Sequence, residues 1–281
     1  MAQHIKTRYA GQVDVGGGVS IIRPDELFSS QVAQFLARTS GLDATHISAY
    51  TALIDGLVTD GVWTKLDFLY ILATADSTTA LLNLVSSSYN GIAHGSPTFT
   101  ADRGFTGTQA SSTIYIDTQF NPSNAAGRKY GQSDAHISAW NITNTTGGFA
   151  IGSGDGNQVD RQTLIFPKKT GDGLAQFLVN GFNTPASVTN ATARGFYIAT
   201  RTGASTVIGY KDGSAISTNT GDTVFDPFNG NIYVLAGNLG GTAAGGPWQI
   251  ASASAGSQLS ATNASNLNSR LRTFMTVVGV P

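Results

Sequence analysis

Residues 195–214 read GFYIATRTGASTVIGYKDGS, and their pattern decides the fold. Two short runs, 195–200 and 205–210, are rich in β-branched and aromatic residues, and Asp212-Gly213 closes the second. Such runs predict strands, and an Asp-Gly pair predicts a tight reversal of the chain at its position. The same grammar extends outward in both directions. Upstream candidates are 112–118, 135–143, 147–152, 161–166 and 174–180; downstream ones are 230–237 and 247–253. Gly147-Gly148, Asp155-Gly156, Asp172-Gly173, Asn229-Gly230 and Gly245-Gly246 punctuate them. About nine short strands at fairly even spacing predict a mainly β sandwich or barrel, not a βαβ fold.

Helices flank this region. Pro24-Asp25-Glu26 reads as a helix start, with an apolar stripe of Leu27, Phe28, Val32, Phe35 and Leu36 behind it. Asp43 can cap a second helix with the stripe Ile47, Tyr50, Leu53, Ile54, Leu57 and Val58. Leu66–Ala73 is nearly all apolar, which suits a strand buried on both faces. Asp76 can cap a short helix through Leu82, and Ser260 a closing one striped by Ala264, Leu267, Leu271, Phe274, Met275 and Val278. The helices should pack on the sandwich or on a partner. The chain divides into three units: an extended arm at 1–23, a helical anchoring segment at 24–62, and the sandwich with its closing helix at 63–281. In the arm, Gly16-Gly17-Gly18 separates two short flanks able to add strands to a neighbour. Gln12, Val13, Val15, Val19, Ile21 and Ile22 are their assembly candidates.

Composition narrows the chemistry. Of 281 residues, 34 are glycine and 12% are charged, against roughly 7% glycine and 25% charge in average domains. The absence of cysteine excludes disulfides, thiolate metal sites and a cysteine nucleophile. A net charge of −1 gives no general drive toward nucleic acid or anionic membrane. No run of about 18 apolar residues suggests membrane insertion.

Several stretches carry a family resemblance. They are Gly41-Leu42-Asp43-Ala44, Asp60-Gly61-Val62-Trp63-Thr64-Lys65-Leu66-Asp67, Ala80-Leu81-Leu82-Asn83-Leu84, the run from Pro97 to Phe105, and Phe120-Asn121-Pro122. These resemble phage and prophage virion proteins. The sandwich portion resembles the concanavalin A-like lectin or laminin G fold, with Tyr210-Lys211-Asp212-Gly213-Ser214 as its hairpin signature. The resemblance covers roughly residues 40–280 and leaves the arm outside. It implies a mainly β, two-sheet jelly-roll sandwich, a structural or adhesive virion role and no known reaction.

That fold also hosts glucanases, which resemble one another in a strand motif with two glutamates. A hydrolase needs two carboxyls about 5–9.5 Å apart, met on one strand by acids at i and i+2. Here Glu26 is the one glutamate, and the closest aspartates in sequence, Asp222 and Asp226, are spaced i, i+4. No catalytic residues are therefore assigned, and no cofactor. His4, His46, His94 and His136 show no ligand spacing. Asp155, Asn157 and Asp160 form a weak calcium candidate in a glycine-rich loop, with an Asx-type turn as the simpler reading. Four Asn-x-Ser/Thr sequons, at Asn141, Asn144, Asn190 and Asn263, read as accidental.

Glycan binding is the live functional option. Sugars are held by aromatic faces with amide and carboxylate groups beside them. The candidates are Trp140, Tyr130, Tyr210 and Trp248, with Asn144, Asn157 and Asp155 on nearby loops. Each aromatic has a core reading beside it, because a sandwich needs large inward residues. Trp140 alternates with Ile137 and Ala139 and falls with Ser138, so an exposed ring is expected there. The leading expectation is a non-enzymatic virion surface protein, a capsid- or tail-attached decoration or fibre component. Its arm would contact other virion proteins and sister copies in a homo-oligomer. The alternative is a receptor-binding, lectin-like module for host polysaccharide; a polysaccharide hydrolase comes third.

Overall fold

The computed structural model describes residues 12–15, 18–21, 28–109, 112–157, 160–182 and 184–281. In chain order, β1 (Gln12–Val15) and β2 (Gly18–Ile21) precede the helices α1 (Ser30–Leu36) and α2 (Ala44–Thr59). Strand β3 (Leu66–Ile71) leads to one helical turn, α3 (Ser77–Ala80). Next are four short strands: β4 (Ile92–His94), β5 (Thr98–Thr100), β6 (Gly104–Thr106) and β7 (Tyr115–Asp117). The body of the sandwich is β8 (Asp134–Asn141), β9 (Ile151–Gly154), β10 (Gln162–Phe166), β11 (Leu174–Gly181), β12 (Ala186–Thr189), β13 (Gly195–Thr202), β14 (Val207–Lys211) and β15 (Ser214–Asn219). Then come β16 (Tyr233–Val234), β17 (Ala236–Leu239), β18 (Thr242–Gly245), β19 (Gln249–Gly256) and α4 (Ala261–Val277).

The expected strands form two sheets. One runs β12-β11-β10-β9-β16-β7-β4, with β17 and β18 attached beside β9; the other runs β15-β14-β13-β8-β19-β6-β5, with β3 also on β19. Asp212 and Gly213 have φ of 50° and 82° and join β14 to β15. Two successive positive φ values are what a two-residue hairpin turn demands. Asp43, Asp76 and Ser260 cap their helices as expected: their side chains accept from His46 N at 2.8 Å, Thr79 N at 2.8 Å and Asn263 N at 3.2 Å. The start expected at Pro24-Asp25-Glu26 lies outside the described residues; α1 is capped by Ser29. The arm differs from expectation. Its two flanks pair with each other, Gln12 opposite Ile21 and Val15 opposite Gly18. Ile22, Gly16 and Gly17 lie outside the described residues.

The molecule has three layers. Between the sheets lie Phe68, Tyr70, Ile116, Phe120, Ile137, Ile151, Ile165, Phe177, Tyr197, Val234 and Trp248, all buried. The other face of the eight-stranded sheet is equally dry. Leu69, Ile71, Trp140, Phe196 and Ile198 meet Phe35, Tyr50, Leu53, Leu267, Leu271 and Phe274 from the helices. Strand β3 is accordingly buried at every position. Tyr50 centres this outer core, 4.7 Å from the Phe35 ring and 4.9 Å from Phe274. Each such ring is worth about 1.5–3 kcal/mol in burial. Gly209 allows the two sheets to close, since a Cβ there would stand 2.2 Å from the Phe177 ring. Among the described residues, no helix is long and apolar enough to cross a membrane.

Two histidines under these layers titrate in opposite senses. His46, at the first turn of α2, faces Asp43 through Nδ1 and Asp102 through Nε2, each at 2.9 Å. Burial opposes its charge, but both carboxylates favour it, and its pKa is raised. His136 lies fully buried against Ser254 Oγ and Ser257 O, and burial pushes its pKa down to about 4 from 6.5. Below pH 6.5 the unfolded chain takes up this proton first. His136 therefore contributes stability above pH 6.5 that is lost as the pH falls toward 4, by about 3 kcal/mol in all. His46 works the other way and loses its contribution as the pH rises. The difference between wild type and His136→Asn isolates the first effect. Urea unfolding at pH 7 and pH 4.5 should show the wild type losing more stability on acidification than the variant. Equal losses would refute it.

Candidate functional site

Helices cover the outer face of the eight-stranded sheet, so the sheet face left to solvent is the outer face of the nine-stranded one. Alternation fixes who stands there. Ile116 and Val234 point into the core, which turns Tyr115, Asp117 and Tyr233 outward. His94 is paired with Tyr115 and shares its face. The three rings form a ladder across β4, β7 and β16. His94 and Tyr115 stack at 4.6 Å and 13°, and Tyr115 and Tyr233 at 4.2 Å and 20°. The edge strand is turned away just after His94 at Gly95. Its φ is +66°, and a Cβ there would stand 2.3 Å from Thr113 O.

Polar groups flank the ladder. Asn231 Nδ2 donates to both Asp117 oxygens at 3.0 and 3.2 Å, and Asn238 Nδ2 donates to Asn231 O at 2.8 Å. Asp117 Oδ1 also accepts from Gln119 N at 2.7 Å, which holds its carboxylate in a fixed pose. Burial and the adjacent Tyr115 push the Tyr233 hydroxyl up to about 12, so it stays a donor at neutral pH. Beyond the ladder the β17–β18 hairpin roofs the face. Leu239 and Ala244 pack with Leu164, Leu178 and Phe149, while Ala236 and Ala243 pack with Tyr233. Tyr233 is buried beside this hairpin and Asn238 within it, so the accessible part is the half-buried His94 and Tyr115 rings with Asp117 and Asn231, and Tyr233 backs them.

The residues nominated from sequence are placed differently. Trp140 is 1% exposed, which corrects the expectation of an exposed ring. It does share a face with Ser138, but that face lies under the helices. Its ring stacks on Phe196 at 5.6 Å, and the Arg272 guanidinium sits 4.7 Å above it. Tyr130, Tyr210 and Trp248 are also buried. Tyr130 Oη contacts Thr163 Oγ1 and Asn180 Oδ1, both at 2.9 Å. Trp248 Nε1 donates to Gly148 O at 3.0 Å. Asn144 and Asn157 are exposed, and Asn144 Oδ1 accepts from Ala193 N at 3.0 Å. In the calcium-candidate loop, Gln162 Nε2 donates to Asp155 Oδ1 and Asp160 O, both at 2.8 Å. None of these residues joins the ladder. His94, Tyr115, Asp117, Asn231 and Tyr233 went unselected, although Tyr115-Ile116-Asp117 already alternates polar, apolar, polar.

The architecture is a two-sheet β-sandwich with helices packed on the outer face of one sheet. No family model matches the chain, and no curated protein matches it. Solved structures do. A structure of botulinum neurotoxin type C, whose cell entry is dependent upon interaction with two ganglioside molecules, aligns with TM-score 0.51 and 12% identity. The alignment covers 76% of this chain and 53% of that one. Domain 4 of the extracellular arabinanase AbnA from Geobacillus stearothermophilus, in complex with arabinotriose, aligns at 0.45 and 12% identity, over 72% of this chain and 98% of that one. The CBM40 of the Ruminococcus gnavus IT-sialidase aligns at 0.40 and 18% identity, over 56% and 92%. At these identities the likeness is one of fold.

Proposed function

We propose that the protein is a non-catalytic glycan-binding module that holds host-surface polysaccharide on the outer face of its nine-stranded sheet. The observation that carries this is the His94–Tyr115–Tyr233 ladder beside the fixed Asp117–Asn231 pair. Rings with planar hydrogen-bonding groups at their edge suit a sugar, which has apolar C–H faces and an equatorial rim of hydroxyls. Such pockets gain affinity from groups already held in place. The ganglioside dependence of the neurotoxin sharing this fold supports the same reading. A glycan array probed with wild type and Tyr115→Ala tests it. A specific hit lost in the variant is expected; no hit, or a hit retained, refutes the site.

The stretches that resemble phage and prophage proteins favour a setting for this module, display on a virion surface. There the hairpin at Gln12–Ile21 supplies paired backbone strands for contact with other virion proteins or sister copies. Repeated copies would raise weak glycan contacts by avidity. Removing residues 1–23 is expected to leave a folded sandwich that no longer enters particles. Particles that incorporate the truncated chain as well as the full one would end this reading.

A further inference from the structure

We propose that the pit between α1, Trp63 and the loop at 84–87 is a second saccharide site, sized for one sugar ring. It shares no residue with the ladder. Its volume is about 240 Å³, below the roughly 300–1,000 Å³ of sites that enclose larger ligands. The half-buried Trp63, Gln31 and Gln34 of α1, and Ser86 and Ser87 of the loop all line it.

The loop at 84–87 is held by a dense set of hydrogen bonds. The Asn83 side chain is fully buried; it accepts from Leu69 N and Val85 N and donates to Asp67 O, Ser86 Oγ and Ser88 O. Arg38 reaches the loop from α1. Its Nη1 donates to Ser86 O at 2.8 Å and its Nη2 to Asn83 O and Leu84 O at 2.8 and 3.3 Å. Its Nε donates to Gln34 O at 3.2 Å. Every guanidinium nitrogen is thus engaged by a carbonyl, and the rest of the polar lining consists of amides and hydroxyls. These carbonyls take four of the five guanidinium N–H donors and leave its charge in place, so a sugar ring meets amide and hydroxyl partners beside a fixed cation. Holding the loop beforehand removes an ordering cost from binding. Two of the motif stretches, Asp60–Asp67 and Ala80–Leu84, supply Trp63, Asn83 and Leu84 to this one place.

The experiment reads Trp63 directly. Trp140 and Trp248 are 1% and 0% exposed, so acrylamide quenching of tryptophan emission reports the third tryptophan. The probes are tetrasaccharides ending in glucose, galactose, mannose or N-acetylglucosamine, with a sialylated one beside them. At least one probe is expected to protect Trp63 from quenching. Gln34→Ala should weaken that protection by about three- to tenfold, as loss of a hydrogen bond does. Tyr115→Ala should leave it intact, which separates this site from the ladder. The proposal is overturned if no probe protects Trp63, if Gln34→Ala protects as well as wild type, or if protection disappears in Tyr115→Ala.

Discussion

Replacing Asp222 with alanine is expected to destabilise the fold by about 3–5 kcal/mol, the range for a buried charge deprived of its partner. The Arg201 side chain is completely buried and Asp222 nearly so, and the guanidinium donates to Asp222 Oδ2. The remaining partners of Arg201 are carbonyls: Val179 O at 2.6 Å, Ala204 O at 3.0 Å and Gly203 O at 3.4 Å. Burial lowers the Arg201 pKa, and Asp222 is the main group that opposes this, ahead of Tyr130. Without it a cation stays in a dry interior with no countercharge. Asp222 also accepts from Phe182 N at 3.2 Å and Thr184 Oγ1 at 2.9 Å, so the loop carrying the Phe182–Phe225 ring pair loosens with it. Urea unfolding of the variant measures the loss. Arg201→Met combined with Asp222→Leu should cost less than Asp222→Ala, because no charge is left behind. A single variant within about 1 kcal/mol of wild type would show that the pair carries no such weight.

Tyr115→Ala carries the other large effect. The ring lies between two others, so its removal breaks both stacking contacts and leaves His94 and Tyr233 unsupported. Central aromatic anchors typically cost about 2 kcal/mol or more when truncated, near 30-fold in affinity. His94→Ala removes an end ring and should cost less. Tyr233→Phe keeps the stack and tests the hydroxyl alone. Two ring contacts of about 0.5–1.5 kcal/mol each are lost, so the melting temperature of Tyr115→Ala should fall by several degrees, and binding is compared at a temperature where both proteins are folded. Binding that falls only in step with stability would point to a structural role instead.

Much of the fold was legible because its signals are local. Asp212-Gly213 reverses the chain whatever surrounds it, and Asp43, Asp76 and Ser260 satisfy N–H groups within three residues. The wet face was not legible. Alternation sorts the residues of a strand into two sets, but says nothing about what covers each set. Trp140 was sorted correctly and is buried in the core beneath the helices, with Arg272 of α4, distant in sequence, over its ring. The ladder has the same difficulty in reverse. Its rings come from positions 94, 115 and 233 and become neighbours only through sheet register.

The helical layer gives the module a front and a back. Both α1 and α4 rest on the eight-stranded sheet, so the described chain enters and leaves the body on the side away from the ladder. A molecule held by either end is therefore mounted like a stamp on its handle. Tension on such an attachment would pass through the helices and their apolar seam, while the side bearing Tyr115 and Asp117 would stay turned away from it.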